Sequence, residues 1–251
     1  MKVILIVWLV MSALLGFEPQ STGILLLHGK GGTVAKTWSG FKNGLENSGF
    51  IVLAKDMPWS KDRYIDKTYE ASLEEVKSDI ETLKAKGVQR VVVIGHSMGA
   101  NVALAYASLY PIDALVLLAP GHNPDRMTAY FQPSVSLAKK MMDEHKGDET
   151  ASFSDLNGGK QFMREMHANV YYSFFAPDGL AAMEVRAKKL SSTLPVLYVV
   201  GDQDPLTQKN GTDIFDALPK MPQSRYIRVN ADHMGTVNAS EKEVDSWLKA
   251  L

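Results

Sequence analysis

The stretch whose reading decides the fold is Arg90 to Ala107, RVVVIGHSMGANVALAYA. Four β-favouring apolar residues, Val91 to Ile94, run into Gly95-His96-Ser97-Met98-Gly99, and a small-residue segment of helical character follows. A continuous apolar run of this length suits a parallel strand covered on both faces. A Gly-x-Ser-x-Gly turn between such a strand and a helix displays its serine on a tight, strained bend. There the residues two positions away must be nearly free of side chain. Gly95 and Gly99 meet that need, and Ala100 and Ala103 let the helix approach the sheet.

Working outward, the same grammar recurs. Ile24 to Gly29, Phe50 to Asp56, Ala114 to Pro120, Pro195 to Asp204 and Arg225 to His233 read as further strands. Between the second and third strands Leu73, Val76, Ile80 and Leu83 recur at helical spacing, with Ser72 and Glu75 as a capping-box pattern and Gly87 as a C-terminal stop. A final helix is predicted by Val244, Trp247, Leu248 and Leu251, with Ser240 and Glu243 as its box. Alternating strands and helices imply a doubly wound, mostly parallel α/β sheet of about six strands with helices on both faces. Ligands collect beyond the carboxyl ends of such strands.

The pattern lapses over 121–190. This segment holds six of the twelve methionines and eight aromatics, and its stretch Ala138 to Gly159 reads as a helix followed by a polar, glycine-containing loop. It is expected to be a small helical cap or lid insertion over an apolar pocket, or else extra helices with methionine as core filler. The remainder, 21–251, is expected to form one domain. Residues 1–20 place Lys2 ahead of an apolar run from Val3 to Leu15, the layout of a secretory signal. An uncleaved membrane anchor is the alternative, so the expected location is secreted or periplasmic, or tethered to a membrane.

Composition narrows the chemistry. The formal net charge of −1 offers no field for nucleic acid or an anionic membrane surface. With no cysteine there is no thiolate nucleophile, disulfide or zinc–thiolate site. No cofactor and no metal are expected.

A serine hydroxyl needs a base within hydrogen-bond reach and an acid to orient that base. Of the six histidines, His233 has the right address, after the last predicted strand and before the last helix. Asp202 and Asp204 both end the penultimate strand, and Asp204, further into the loop and before Pro205, is the better placed acid. For an oxyanion, the amide of Met98 follows the nucleophile, and the glycine-rich loop His28-Gly29-Lys30-Gly31-Gly32 is expected to add the amide of Lys30. The competing phosphate-loop readings fail. Gly31 stands where a Walker loop needs Ser or Thr after Lys30, and Val34 stands where a dinucleotide fingerprint needs glycine. Gly29, His96, Trp59 and His122 are the candidate substrate-contacting residues. Arg63, Tyr64 and Asn123 are further mouth positions, and Lys30 is expected to disfavour cationic substrates.

Taken together, the His28-Gly29-Lys30-Gly31-Gly32, Gly95-His96-Ser97-Met98-Gly99, Gly201 to Pro205 and Asp232-His233 segments, in that order, resemble a serine-dependent member of the α/β-hydrolase superfamily, of the esterase or lipase kind. The resemblance runs from Ile24 to Leu251. It implies the Ser…Asp…His order seen here, an oxyanion amide at Lys30 and a cap within 121–190. The sequence departs from the fuller family pattern in leaving no room for the two leading antiparallel strands between the signal-like segment and Ile24, so a sheet reduced to six strands is expected. Asp232 departs from the family's glycine before the histidine, and a serine nucleophile argues against the dehalogenase and epoxide-hydrolase branches. The expected activity is hydrolysis of a small or medium carboxylic ester through an acyl-enzyme. The alternatives are a thioesterase, amidase, acyltransferase or C–C hydrolase on the same triad, or a non-catalytic binding protein. The expected partner is a small-molecule ester; the sequence sets no oligomeric state.

Overall fold

The computed structural model describes residues 17–206 and 212–251. The signal-like run from Val3 to Leu15 lies outside the described residues. Among those described, no helix is long and apolar enough to cross a membrane.

Six strands form one parallel sheet: β1 (Thr22–Leu27), β2 (Ile51–Ala54), β3 (Arg90–His96), β4 (Ala114–Leu118), β7 (Val196–Gly201) and β8 (Arg225–Val229), in the order β2-β1-β3-β4-β7-β8. Residue alternation sends the strands' side chains to two separate cores. On one face Ile24, Leu26, Val92, Ile94, Val116 and Val199 pack against Trp38, Phe41 and Leu45 of α1 (Val34–Asn47) and Val244, Trp247 and Leu248 of α9 (Glu241–Lys249). On the other, Leu25, Leu27, Val91, Val93, Leu117 and Tyr198 pack against α2 (Tyr69–Lys84) and α3 (Met98–Ala107). Burial on both faces is why the inner strands β1, β3, β4 and β7 read as nearly unbroken apolar runs, whereas the edge strand β8 is only partly covered.

The caps differ from the sequence reading. Helix α2 begins earlier, with Thr68 as its N-cap accepting from the Ala71 amide, and Ser72 bonds back to the Thr68 carbonyl. Glu75 is engaged by Arg63 and Lys67 instead of closing a box. Ser240 does precede α9, but its hydroxyl donates to the Val237 carbonyl.

Between β4 and β7 lie α4 (Thr128–Asp143), β5 (Thr150–Asn157), β6 (Lys160–His167), α5 (Ala168–Phe175) and α6 (Met183–Ala187). The stretch expected to be a polar loop is the antiparallel hairpin β5–β6, registered from Thr150↔His167 to Asn157↔Lys160. Gly158 and Gly159 at its tip have φ of 56° and 77°. Two consecutive positive φ values mark the turn whose backbone twist suits a two-residue hairpin. The insertion's aromatics are chiefly core. Phe153, Tyr171 and Phe175 form a stack with centroid spacings of 4.4 and 4.3 Å, continuous with the α2–α3 side of the sheet. The remaining short helices are α7 (Asp213–Asp216) and α8 (Thr236–Ala239).

Candidate active site

Ser97 sits between β3 and α3 with φ 53°, the strained bend expected of the turn. A Cβ on Gly95 would lie 2.2 Å from the Gly99 carbonyl oxygen, and one on Gly99 2.1 Å from that of Leu27. Both positions therefore exclude any side chain. The registers Leu27↔Gly95, His96↔Leu118 and Gly201↔Val229 bring the ends of β1, β3, β4, β7 and β8 level, so the loops after them converge on Ser97.

His233 Nε2 lies 3.0 Å from Ser97 Oγ and its Nδ1 2.7 Å from Asp204 Oδ2. In this network the serine hydroxyl donates to Nε2 and Nδ1–H donates to the carboxylate, an assignment made from the partners. Asp204 is buried, and its second oxygen accepts the Leu206 amide at 2.9 Å. Asp202 is exposed and does not take part. Asp232 stabilises the histidine's turn: its Oδ1 accepts from the Gly235 amide and its carbonyl from the Thr236 amide and hydroxyl.

Among the described residues, neither the Lys30 nor the Met98 amide donates a hydrogen bond within the chain, so both are free to meet an oxyanion. The Lys30 loop is braced around that amide by Gly31 N–H donating to the Trp59 carbonyl and Gly32 N–H to that of Gly29. A cavity of about 410 Å³ opens over Ser97. It is lined on one side by Gly29, Lys30, His96, Met98, Gly121 and His122, and roofed by Met127, Phe131 and the hairpin tip, Leu156 to Gly159. Met234 and Leu206 complete its apolar wall.

Two histidines beside the triad are held neutral. Burial, with repulsion from His233 added, pushes His96 down to about 4. Its Nε2–H donates to the His233 carbonyl at 3.0 Å, so its role is to position the base, although the ring also borders the cavity. Burial, with repulsion from the Lys30 ammonium added, likewise pushes His122 down to about 4. His122 has φ 62°, and its Nε2–H donates to the Phe174 carbonyl at 2.8 Å, which leaves Nδ1 as an acceptor.

Several mouth assignments are corrected. Trp59 is buried and does not line the cavity, its indole N–H donating to the His28 carbonyl at 2.6 Å, so it braces the end of β1 that leads into the Gly29–Gly32 loop. His28 works with it: Nδ1–H donates to the Gly29 carbonyl while Nε2 accepts from the Met57 amide. Arg63 is paired bidentately with Glu75, and Tyr64 is exposed beneath Arg164. Asn123 is buried behind the wall. The Lys30 ammonium is compensated by Asp155 at 2.5 Å, so the expected bias against cationic substrates has no free charge behind it.

One residue was missed. Asn101 accepts from the Tyr69 hydroxyl at 2.6 Å and donates to the His122 and Ala181 carbonyls, both at 2.7 Å, pinning the loop after β4. An amide in the middle of an otherwise apolar helix was its only sequence signal.

Comparison with known proteins agrees with this fold. A family model described as alpha/beta hydrolase fold matches residues 23–143. The 2-hydroxy-6-oxononadienedioate/2-hydroxy-6-oxononatrienedioate hydrolase 2 of Pseudomonas putida is 34% identical over 236 residues, covering 84% of this chain and 80% of that protein. The chain belongs to the α/β-hydrolase family. A second curated relative, the 2-hydroxy-6-oxo-6-phenylhexa-2,4-dienoate hydrolase of Comamonas testosteroni, is 28% identical over 160 residues; the match covers 56% of this chain and about half, 56%, of that protein. Among solved structures, a carboxyl esterase from Bacillus coagulans superposes with a TM-score of 0.67 at 16% identity, covering 93% of this chain and 89% of its own. The monoacylglycerol lipase of Paleococcus ferrophilus gives 0.66 at 19%, covering 92% and 95%. At such identities these two likenesses speak to the family's fold.

Proposed function

We propose that this chain is a serine hydrolase cleaving carboxylic esters of small or medium size through an acyl-enzyme. The observation that carries it is the continuous Asp204–His233–Ser97 relay, 2.7 and 3.0 Å long, facing a largely apolar cavity. Ser97 Oγ attacks the ester carbonyl as His233 Nε2 takes its proton. Asp204 keeps Nδ1 protonated and stabilises the imidazolium that forms. The Lys30 and Met98 amides receive the developing oxyanion. Collapse breaks the ester C–O bond, His233 protonates the departing alcohol, and water then attacks the acyl-enzyme with the same base. The insertion 121–190 serves as the cap, its hairpin tip and Phe131 bounding the space for the acyl or alcohol group.

Fluorophosphonate labelling tests the nucleophile, and p-nitrophenyl esters of increasing chain length test the substrate. Covalent mass on Ser97 and turnover of the shorter esters are expected; folded protein that takes no label at Ser97 sinks the reading. A second reading, hydrolysis of a C–C bond beside a carbonyl, is favoured by the curated relatives, which are named as 2-hydroxy-6-oxo-dienoate hydrolases. Assay of 2-hydroxy-6-oxo-6-phenylhexa-2,4-dienoate beside the esters separates the two by their kcat/KM values.

A further inference from the structure

The loop Gly29-Lys30-Gly31-Gly32 carries one of the two free amides over Ser97, yet three of its four residues are glycine. Glycine lets backbone approach a ligand but leaves it with the most conformational freedom to lose. Within the loop only Lys30 carries a side chain, while His28 and Trp59 brace its Gly29 end from outside it. The Lys30 side chain does not turn to solvent. Its Nζ lies 2.5 Å from Asp155 Oδ1 and 5.6 Å from the centroid of the Phe175 ring, both belonging to the insertion. Burial lowers the Lys30 pKa, and the Asp155 charge opposes that fall. Asp155 itself is 0% exposed. Its other oxygen accepts from Arg164 Nε at 3.1 Å, and Oδ1 also accepts its neighbour Leu156's amide at 2.7 Å. The carboxylate is thus fully engaged inside β5, directly before the tip residues that roof the cavity.

We propose that Asp155 is a positioning residue for catalysis: through the Lys30 ammonium it holds the Lys30 amide on the oxyanion, so the insertion completes the site it covers. This rests on the serine-hydrolase reading above. A buried ion pair is weak evidence of stabilisation, but removing one partner leaves an uncompensated buried charge that must relocate. For Lys30 such relocation pulls on a backbone with glycine on both sides. Displacements near 1 Å at a catalytic donor can cost about a hundredfold in rate.

The test uses D155N, K30M and the double variant, assayed with p-nitrophenyl butyrate. K30M keeps the amide and the alkyl stem and leaves Asp155 paired with Arg164, so it remains informative if D155N fails to fold. Each single variant is expected to lower kcat about tenfold or more with KM within about twofold, because the lost interaction is one made in the transition state. The double variant should be no worse than the poorer single, as for two parts of one device. Affinity for a trifluoromethyl ketone, which adds to Ser97 as a tetrahedral oxyanion, should fall in step with kcat. The unactivated methyl ketone of the same shape should bind as to wild type. K30M with wild-type kcat, unchanged trifluoromethyl ketone affinity, or single effects that multiply in the double variant would each overturn the proposal while leaving the serine-hydrolase reading standing. Wild-type protein that takes no fluorophosphonate at Ser97 overturns both.

Discussion

The two walls of the cavity are built on different principles. The sheet-side wall, from Gly29 through Ser97 to His233, hangs on strand ends whose spacing is set by backbone hydrogen bonding. Its tight points, such as Gly99 against the Leu27 carbonyl, tolerate no atom more. The insertion-side wall is held by side chains: the Phe153–Tyr171–Phe175 stack, the Lys30–Asp155 pair, and His122 Nε2–H on the Phe174 carbonyl. The Ser97–His233–Asp204 network sits on the wall that the main chain dictates, while the cavity's roof sits on the wall that side chains can redraw.

The sharpest way to break the comparison is at the nucleophile. Ser97→Ala should lower ester turnover by at least about a thousandfold, since members of such a triad act as a unit. Ser97→Gly should be equally inactive yet more stable by about 1 kcal/mol, because glycine relieves the φ of 53°. Thermal unfolding beside the activity assay checks both; a Gly variant that unfolds earlier contradicts the strain argument.

Gly121 lies where the walls meet. A Cβ there would sit 2.9 Å from Ser97 Oγ, with the hydroxyl the softest neighbour. Gly121→Ala should therefore fold normally and rotate Oγ away from His233, lowering kcat/KM about ten- to a hundredfold. Near-wild-type labelling of that variant would show that Oγ has more room than the geometry allows.

The sheet-side wall also carries a pH signature. His96 titrates near 4 when folded against an ordinary value of 6.5, so between those values the unfolded chain binds more protons. Stability is then highest above pH 6.5 and is lost as pH falls toward 4, by up to about 1.4 kcal/mol per pH unit from this residue. Urea midpoints at pH 7.5, 6 and 5 should fall more steeply for wild type than for His96→Gln; parallel curves would count against the buried neutral imidazole. The smallest effect is expected on the other wall. Gly158→Ala should cost about 1 kcal/mol at its positive φ and shift ester-length preference while sparing the rate on the smallest ester, because a Cβ at Gly158 meets nothing within 4 Å while the tip borders the cavity. A proportional loss on all esters would mean the tip does more than bound the space.

How much of this was legible follows the same division. Val91 to Ile94 announce a doubly covered strand because alternate residues face two cores, and Gly95 and Gly99 announce the bend because the constraint acts within five residues. His233 could be singled out by its position in the strand–helix order. The choice between Asp202 and Asp204 rested on loop position alone, and only the convergence of β7 and β8 distinguishes them, one exposed and one on the histidine.

The hairpin was misread because Thr150 to Asn157, TASFSDLN, alternates weakly; Asn157-Gly158-Gly159 did carry the turn signal, but without clear strands on either side. Trp59 reads as a mouth residue because it follows the carboxyl end of β2; its partner, the His28 carbonyl, lies 31 residues away, beyond the reach of local pattern. Asp155 carries no local mark of its pairing, standing 125 residues from Lys30.

The sequence by itself determined the parallel sheet, the order of Ser97, the strand-end aspartates and His233, and the bend that displays Ser97, because each is written in local periodicity and sterics. Only the tertiary structure decided which carboxylate serves His233, which aromatics are core and which line the cavity, and that Lys30 answers to Asp155. Those choices are made by side chains meeting across long chain separations, where neither residue carries a mark of its partner.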